Sequence, residues 1–110
     1  MRAYAPGEVQ VGARVLREPF LLAAQALQSP LGAATPADLT TGELLERLRA
    51  LQAEVVIVGA ASGFPQLPPA WRAALLAQGV GVEGMVLGAA CRTYNLLVQD
   101  GRSVVALLFP

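Results

Sequence analysis

The sequence predicts a three-layer α/β fold: a single domain with a mixed central β-sheet, helices on its faces and an N-terminal β-hairpin. Two apolar runs, residues 55–58 and 103–108, have the length and two-sided apolar character of strands that are covered on both faces. Strand-like and helix-like patterns alternate through the second half of the chain. Apolar residues form 55% and charged residues 15% of the 110 positions, enough for a large core. We expect residues 1–110 to form one domain.

The first third of the chain is predicted to be extended. Residues 8–11 and 14–17 are β-rich runs separated by Gly12-Ala13, which suits a type II′ hairpin turn. Residues 20–23 form a third extended segment after a proline. The Ser, Pro, Gly and Thr content of residues 25–37 indicates a connection with at most one loose turn. We expect the hairpin to extend or cap the central sheet.

A helix start is predicted at Thr40, because Glu43 follows at the spacing of a capping box. The helix is expected over residues 42–51, with leucines along one stripe. Glu43 and Arg47 lie four residues apart, so we expect a weak ion pair on the solvated face.

Strands and helices then alternate. Pro69 suits the first position of a helix that ends before Gly79. The predicted elements are a central strand at 55–58, a turn-rich loop to 68, a helix at 69–78, a strand at 80–83, a helix at 88–99 and a strand at 103–108. The helix over 88–99 carries more apolar than polar positions, so it is expected to bury over half of its circumference.

Composition excludes several kinds of chemistry. Eight arginines balance eight acids, so the chain lacks the basic footprint of a nucleic-acid binder and the polybasic segment of a membrane-surface protein. Without histidine or lysine there is no imidazole base, no Schiff base and no P-loop cation. We predict no cofactor and no metal site. The single cysteine, and the absence of an apolar run long enough for a signal peptide or a membrane span, favour the cytoplasm.

Residues after two predicted parallel strands form the candidate ligand site, because ligands gather at the carboxyl ends of such strands. The start of the helix at residue 88 offers backbone N–H groups, and Arg92 lies one turn further on, so a small anion or carboxylate could bind there. Turn glycines explain the same pattern without any ligand. The predicted ligand-binding residues are Gly59, Ser62, Gly63, Glu83, Gly88, Cys91, Arg92 and Asn95.

Cys91 is the only candidate nucleophile. Its place near a helix start, beside Arg92, could lower the pKa of the thiol. A free cysteine more often packs as a small apolar group, and this chain has no histidine to act as its base. We therefore predict no catalytic residue, and we expect Glu83 to meet Arg92 or water.

Several runs resemble the Mth-type family known as domain of unknown function 498. They are Glu-Val-Val-Ile-Val-Gly at 54–59, Pro-Pro at 68–69, Gly-Val-Glu-Gly-Met at 81–85, Ala-Ala-Cys-Arg-Thr-Tyr-Asn at 89–95 and Asp-Gly-Arg at 100–102. The resemblance implies a compact three-layer α/β fold and supplies no reaction. The family includes many small bacterial proteins, an adipogenesis-associated vertebrate protein and a mitochondrial assembly factor for NADH:ubiquinone oxidoreductase (complex I), which acts through protein contacts.

Two departures from the family pattern make the rim more apolar. The family usually has Gly-Thr-Gly where this chain has Gly-Ala-Ala at 59–61, and Met-Asp-Thr where it has Met-Val-Leu at 85–87. We therefore predict a non-catalytic protein-interaction or assembly-factor-like module. The alternative is a small-molecule or anion binder, or an enzyme, that uses Arg92, Cys91 and Asn95. Self-association through the Trp71 helix or the Tyr94 helix is compatible with either.

Overall fold

A five-stranded mixed sheet lies at the centre of the computed structural model, which describes residues 3–5 and 7–110. The strands of this part of the chain are β1 (Ala3–Ala5), β2 (Glu8–Val11), β3 (Arg14–Leu16), β4 (Phe20–Ala23), β5 (Ala26–Gln28), β6 (Val55–Ala60), β7 (Gly81–Val86) and β8 (Val104–Phe109). The α-helices are α1 (Thr41–Leu48), α2 (Pro69–Leu76) and α3 (Leu87–Gln99), and a 3-10 helix at Pro36–Asp38 precedes α1. The predicted α/β class, with a mixed central sheet and flanking helices, is confirmed. The predicted boundaries, 1–110, include residues 1, 2 and 6, which lie outside the described residues, and they stay a prediction.

The strand order in the central sheet is β5-β4-β8-β6-β7. β8, β6 and β7 run parallel, so that Gly59 of β6 lies between Leu108 of β8 and Met85 of β7. β4 is antiparallel to β8, and β5 is antiparallel to β4. The sheet is mixed because of these two strands, whereas we expected the N-terminal hairpin to make it so.

The N-terminal hairpin is present as β2 and β3, with Gly12 in the turn at φ +58°. β1, which the sequence pattern does not predict, pairs with β2 and completes a separate three-stranded antiparallel sheet. Val9 and Leu16 of this small sheet are buried against the central sheet. The hairpin therefore covers a face of the central sheet and does not lengthen it.

Two apolar layers cover the central sheet, as expected for strands that are apolar on both sides. On one face, Leu44 of α1 and Trp71 of α2 are fully buried, and the Trp71 Nε1–H donates to the Leu39 carbonyl at 3.2 Å. On the other face, Ala90 and Tyr94 of α3 pack beside the small sheet. Each layer thus joins a helix to β6 and β8 in the middle of the sheet.

The predicted capping box begins α1. Glu43 N–H donates to Thr40 Oγ1 at 3.1 Å, and Thr40 N–H donates to Glu43 Oε1 at 3.0 Å. The expected Glu43–Arg47 ion pair is not the main contact of Arg47, whose guanidinium donates to Gln28 Oε1 at 2.9 Å and to the Leu31 carbonyl at 2.7 Å. Arg47 therefore ties α1 to β5 and the segment after it.

Several predicted boundaries shift in the structure. The connection predicted over 25–37 contains β5, a three-residue strand that pairs with β4. The strand predicted at 80–83 continues to Val86, because pairing with β6 extends that far. The helices predicted at 42–51 and 69–78 end earlier, at Leu48 and Leu76.

Candidate functional site

The parallel strands β6, β7 and β8 end together, at Ala60, Val86 and Phe109. This carboxyl edge is where α/β sheets gather ligands. The sequence predicts a site at this edge, and the structure shows two cavities there, one beside each face of the sheet. Ala60, the last residue of β6, lines one of them, and Ala61 lines the other.

The larger cavity, which we call the rim cleft, has a volume of about 340 Å³. Its lining residues are all uncharged: Ala34, Thr35, Pro36, Ala37, Ala60, Ser62, Phe64, Pro65, Gln66 and Phe109. The Thr35 hydroxyl already donates to Asp38 Oδ2 at 3.0 Å. Ser62 and Gln66 are therefore the lining side chains with polar groups to offer, and the rest of the surface is apolar.

Phe64 is the most exposed large apolar side chain in the described part of the chain, at 73%. Gly63, which precedes it, has φ +125°, a backbone conformation that favours glycine. A Cβ on Gly84 of β7 would lie 3.2 Å from Pro65 Cγ, so the loop after Phe64 packs closely on β7. Phe64 thus faces solvent next to a proline that packs on the sheet.

The smaller cavity, which we call the Tyr4 cavity, has a volume of about 160 Å³ and lies at the start of α3. It is lined by Tyr4, Ala61, Val86, Leu87 and Gly88. The Tyr4 ring covers Gly88 so closely that a Cβ there would lie 2.6 Å from Tyr4 Cζ. The side chain of Val86, the N-cap residue of α3, makes no capping hydrogen bond. Arg92 donates to Tyr4 Oη at 3.5 Å, so both Gly88 and Arg92 contact the tyrosine of β1.

Cys91 lies on the buried side of α3, packs in the core and is only 5% exposed. Burial raises the pKa of its thiol to about 11, and the nearby charge of Arg92 lowers that pKa by less. The thiol is therefore protonated at neutral pH, and only the thiolate is a nucleophile. This geometry agrees with structural packing of Cys91 and opposes its use in catalysis.

The structure separates the remaining predicted ligand residues. Ser62 and Gly63 lie in the loop at the rim cleft, and Gly88 lies at the Tyr4 cavity. Asn95 lines a different groove, further along α3. Glu83 is exposed on β7 and makes no hydrogen bond or ion pair with Arg92.

Gly59 has a structural role. A Cβ at this position would lie 2.5 Å from Ala90 Cβ and 3.0 Å from Leu108 Cδ2. The residue must therefore be glycine for α3 to pack on β6 as closely as it does. This contact explains Gly59 without any ligand.

Sequence reasoning missed the residues that form most of the rim. Thr35 and Pro36 come from the connection before α1, and Phe109 comes from the end of β8, so no local pattern joins them. Phe64 carries a usable signal, because a large aromatic residue between Gly63 and Pro65 in a turn-rich loop has no strand or helix to bury it.

No helix among the described residues is both long and apolar enough to cross a bilayer. In the same part of the chain, no group of three or more Cys, Asp or Glu side chains is placed to hold a metal ion.

The fold and the rim together define a small mixed α/β domain whose carboxyl edge carries two cavities lined by uncharged residues. Residues 1–109 match the model of a protein family of unknown function, DUF498/DUF598, and the chain belongs to this family. An uncharacterised protein of Rhodobacter capsulatus is 32% identical over 97% of this chain and 81% of its own length. The predicted family is thus confirmed.

Solved structures show the same fold. A crystal structure of a Bordetella parapertussis protein has a TM-score of 0.88 and is 36% identical, with 98% of this chain and 92% of that chain covered. A solution structure of a Mth938-like domain from Bordetella pertussis has a TM-score of 0.80 at 30% identity, with 99% and 84% covered. A crystal structure described as an outer membrane protein from Bartonella henselae has a TM-score of 0.79 at 27% identity, with 98% and 91% covered.

Proposed function

We propose that this domain is a non-catalytic protein-binding module whose contact surface is the apolar rim, defined as the rim cleft and the Tyr4 cavity. The observation that carries the proposal is Phe64, an aromatic side chain 73% exposed beside an uncharged cleft. Exposed aromatic side chains next to pockets are typical of binding hot spots. Tyr4 and Val86, at the Tyr4 cavity, are also exposed, so three of the six exposed large apolar side chains of the described residues belong to this rim.

The chemistry of the rim indicates the kind of partner. With no charged lining residue, the rim cleft offers no counter-charge to an ionic ligand, and burying an unpaired charge is costly. A volume of 340 Å³ suits a few apolar side chains. We therefore infer that the partner is a protein that presents aliphatic or aromatic side chains to the cleft, with Ser62 and Gln66 available for hydrogen bonds to its backbone.

The non-catalytic part of the proposal is supported by the state of Cys91, which is buried and protonated at neutral pH. An assembly-factor-like role, including assembly of a respiratory complex, is one such binding function, and only the family resemblance supports it. We place the module in the cytoplasm as part of the same proposal, since the composition has no feature of an oxidising compartment. Fractionation of cells that express a tagged chain tests that location.

The binding surface is tested by affinity capture from native lysate with a matched pair of variants. Phe64→Ser removes the exposed aromatic ring at the rim. Leu76→Ser removes a side chain of α2 that is equally exposed, at 72%, and lies outside the rim. We expect a specific partner to be retained by the wild type and by Leu76→Ser and to be lost with Phe64→Ser. A hot-spot residue contributes about 2 kcal/mol or more, so the affinity should fall roughly 30-fold.

Two results would overturn this proposal. One is a partner that binds Phe64→Ser as tightly as the wild type, which would place the contact elsewhere. The other is a wild-type protein that stays monomeric and retains no partner under conditions where a control bait captures its own. Circular dichroism of both serine variants checks that the fold is unchanged.

A further inference from the structure

The second half of α3 and the end of β4 border an open groove of about 480 Å³, which we call the Tyr94 groove. Val11 and Leu22 are among its apolar lining residues, and Asn95 and Gln99 of α3 are among its polar ones. The groove lies toward the amino end of β8, because α3 runs back from the carboxyl edge to the start of that strand. It is therefore separate from the apolar rim.

Tyr94 is the unusual residue of this groove. The side chain is 5% exposed, so nearly all of the ring is buried. The Tyr94 hydroxyl makes no hydrogen bond with the part of the chain that the structure describes. In that part, every buried side-chain oxygen has a hydrogen-bond partner. The Tyr94 oxygen is therefore not fully buried, and solvent reaches it. Tyr94 is also one of the residues that line the groove.

The charge state of the groove limits what it can bind. None of its lining residues carries a charge. Burial raises the pKa of the Tyr94 phenol above its ordinary value, so the hydroxyl stays protonated at physiological pH and can donate. A largely apolar lining with a few polar groups is the usual composition of a small-molecule site, and a volume of about 480 Å³ is in the usual range.

We propose that the Tyr94 groove binds an uncharged small molecule with an apolar body and a carbonyl oxygen, which accepts a hydrogen bond from the Tyr94 hydroxyl. Anionic and cationic compounds would find no charged partner among the lining residues. This site does not depend on the protein-binding rim, and either proposal can fail alone.

A titration followed by ¹H–¹⁵N NMR tests the site with acetophenone as the probe. We expect saturable shifts at backbone amides around the groove, namely those of Val11, Ala24, Val98 and Gln99. Two matched probes separate the effect of the carbonyl acceptor from the effect of charge. Toluene keeps the ring without an acceptor and should bind more weakly, and benzoate adds a charge and should not bind.

Two variants address the groove and a third serves as control. Tyr94→Phe keeps the ring and removes the donor, so acetophenone affinity should fall about three- to tenfold while toluene affinity stays the same. Ala24→Trp fills the groove from an exposed turn and should abolish the shifts for both probes. Leu96→Ala changes an exposed side chain of the same helix outside the groove and should leave binding unaltered.

Three results would overturn the proposal. The first is the absence of saturable shifts at about 10 mM acetophenone, above the millimolar affinity expected for a probe of this size. The second is equal binding by Tyr94→Phe and the wild type, which would mean that the hydroxyl is only hydrated. The third is a set of shifts that surrounds Phe64 and is insensitive to Ala24→Trp, which would place the probe at the rim.

Discussion

Cys91 and Tyr94 lie one turn apart on α3, and burial determines the chemistry of both side chains. Removing an ionisable group from water disfavours its charged form, so the pKa of the Cys91 thiol and that of the Tyr94 phenol both rise. The two side chains differ in how their reactive atoms meet solvent. The sulfur packs in the core, whereas Tyr94 also lines a groove, where we propose that its hydroxyl is available. One residue is therefore a packing group, and the other remains available as a hydrogen-bond donor.

Thiol labelling tests the state of Cys91. A pKa of about 11 leaves roughly a hundredfold fewer thiolates at pH 8 than an ordinary cysteine has. Iodoacetamide should therefore modify the native protein at least about a hundredfold more slowly than the urea-unfolded chain, and the native rate should rise as pH increases toward 11. Glutathione in the same solution is the control for reagent activity. Native labelling as fast as that of the unfolded chain would show an accessible thiol and reopen the catalytic alternative.

The contact of α3 with β6 is the packing feature that matters most for the position of the groove and the Tyr4 cavity. Gly59 allows Ala90 of the helix to approach the strand, and this approach fixes the height of α3 above the sheet. The same helix places Gly88 beneath Tyr4 and Tyr94 beside Leu22. A single small residue in the strand thus affects two cavities.

Gly59→Ala tests this contact. The added methyl group would overlap Ala90 and Leu108, so we expect a loss of about 1–3 kcal/mol in the free energy of unfolding, measured with urea. Gly42→Ala is the matched control, because nothing lies within 4 Å of a Cβ at this position in α1. It should stabilise the protein by about 0.5–1 kcal/mol. If Gly59→Ala were as stable as the wild type, the helix would not rest on that residue.

The two apolar layers lie on opposite faces of one sheet, so each depends on the same middle strands, β6 and β8. Trp71 is buried in the layer formed with α1 and α2, and Cys91 is buried in the layer formed with α3. The chain thus carries one spectroscopic probe and one chemical probe in different layers. This arrangement allows the predicted single domain, 1–110, to be tested as a whole.

Unfolding in urea should give one midpoint for both layers. Trp71 fluorescence reports the first layer, and the fraction of Cys91 open to a thiol reagent in brief pulses reports the second. Because the layers share β6 and β8, we expect the two curves to coincide within error, as a two-state domain requires. Exposure of Cys91 at clearly lower urea than the fluorescence change would mean that α3 and the small sheet unfold separately, and the single-domain prediction would be wrong.

Local pattern in the sequence determined much of the architecture. The apolar run at 55–58, the capping box at Thr40 and Glu43, and the alternation of strands and helices each concern neighbouring residues, so the α/β class and most elements follow from them. The family resemblance also rests on short runs that can be seen without coordinates. The absence of histidine and lysine limits the chemistry in the same direct way.

Which distant segments meet can be seen only in the folded chain. Thr35, Phe64 and Phe109 share a cleft although more than 70 residues separate the first from the last, and Tyr94 lines a groove together with Leu22. Strand order brings these segments together, and periodicity within a segment carries no information about which strand will be its neighbour. The same reason explains why the predicted set around Cys91 divides into a rim, a packed core and a separate groove.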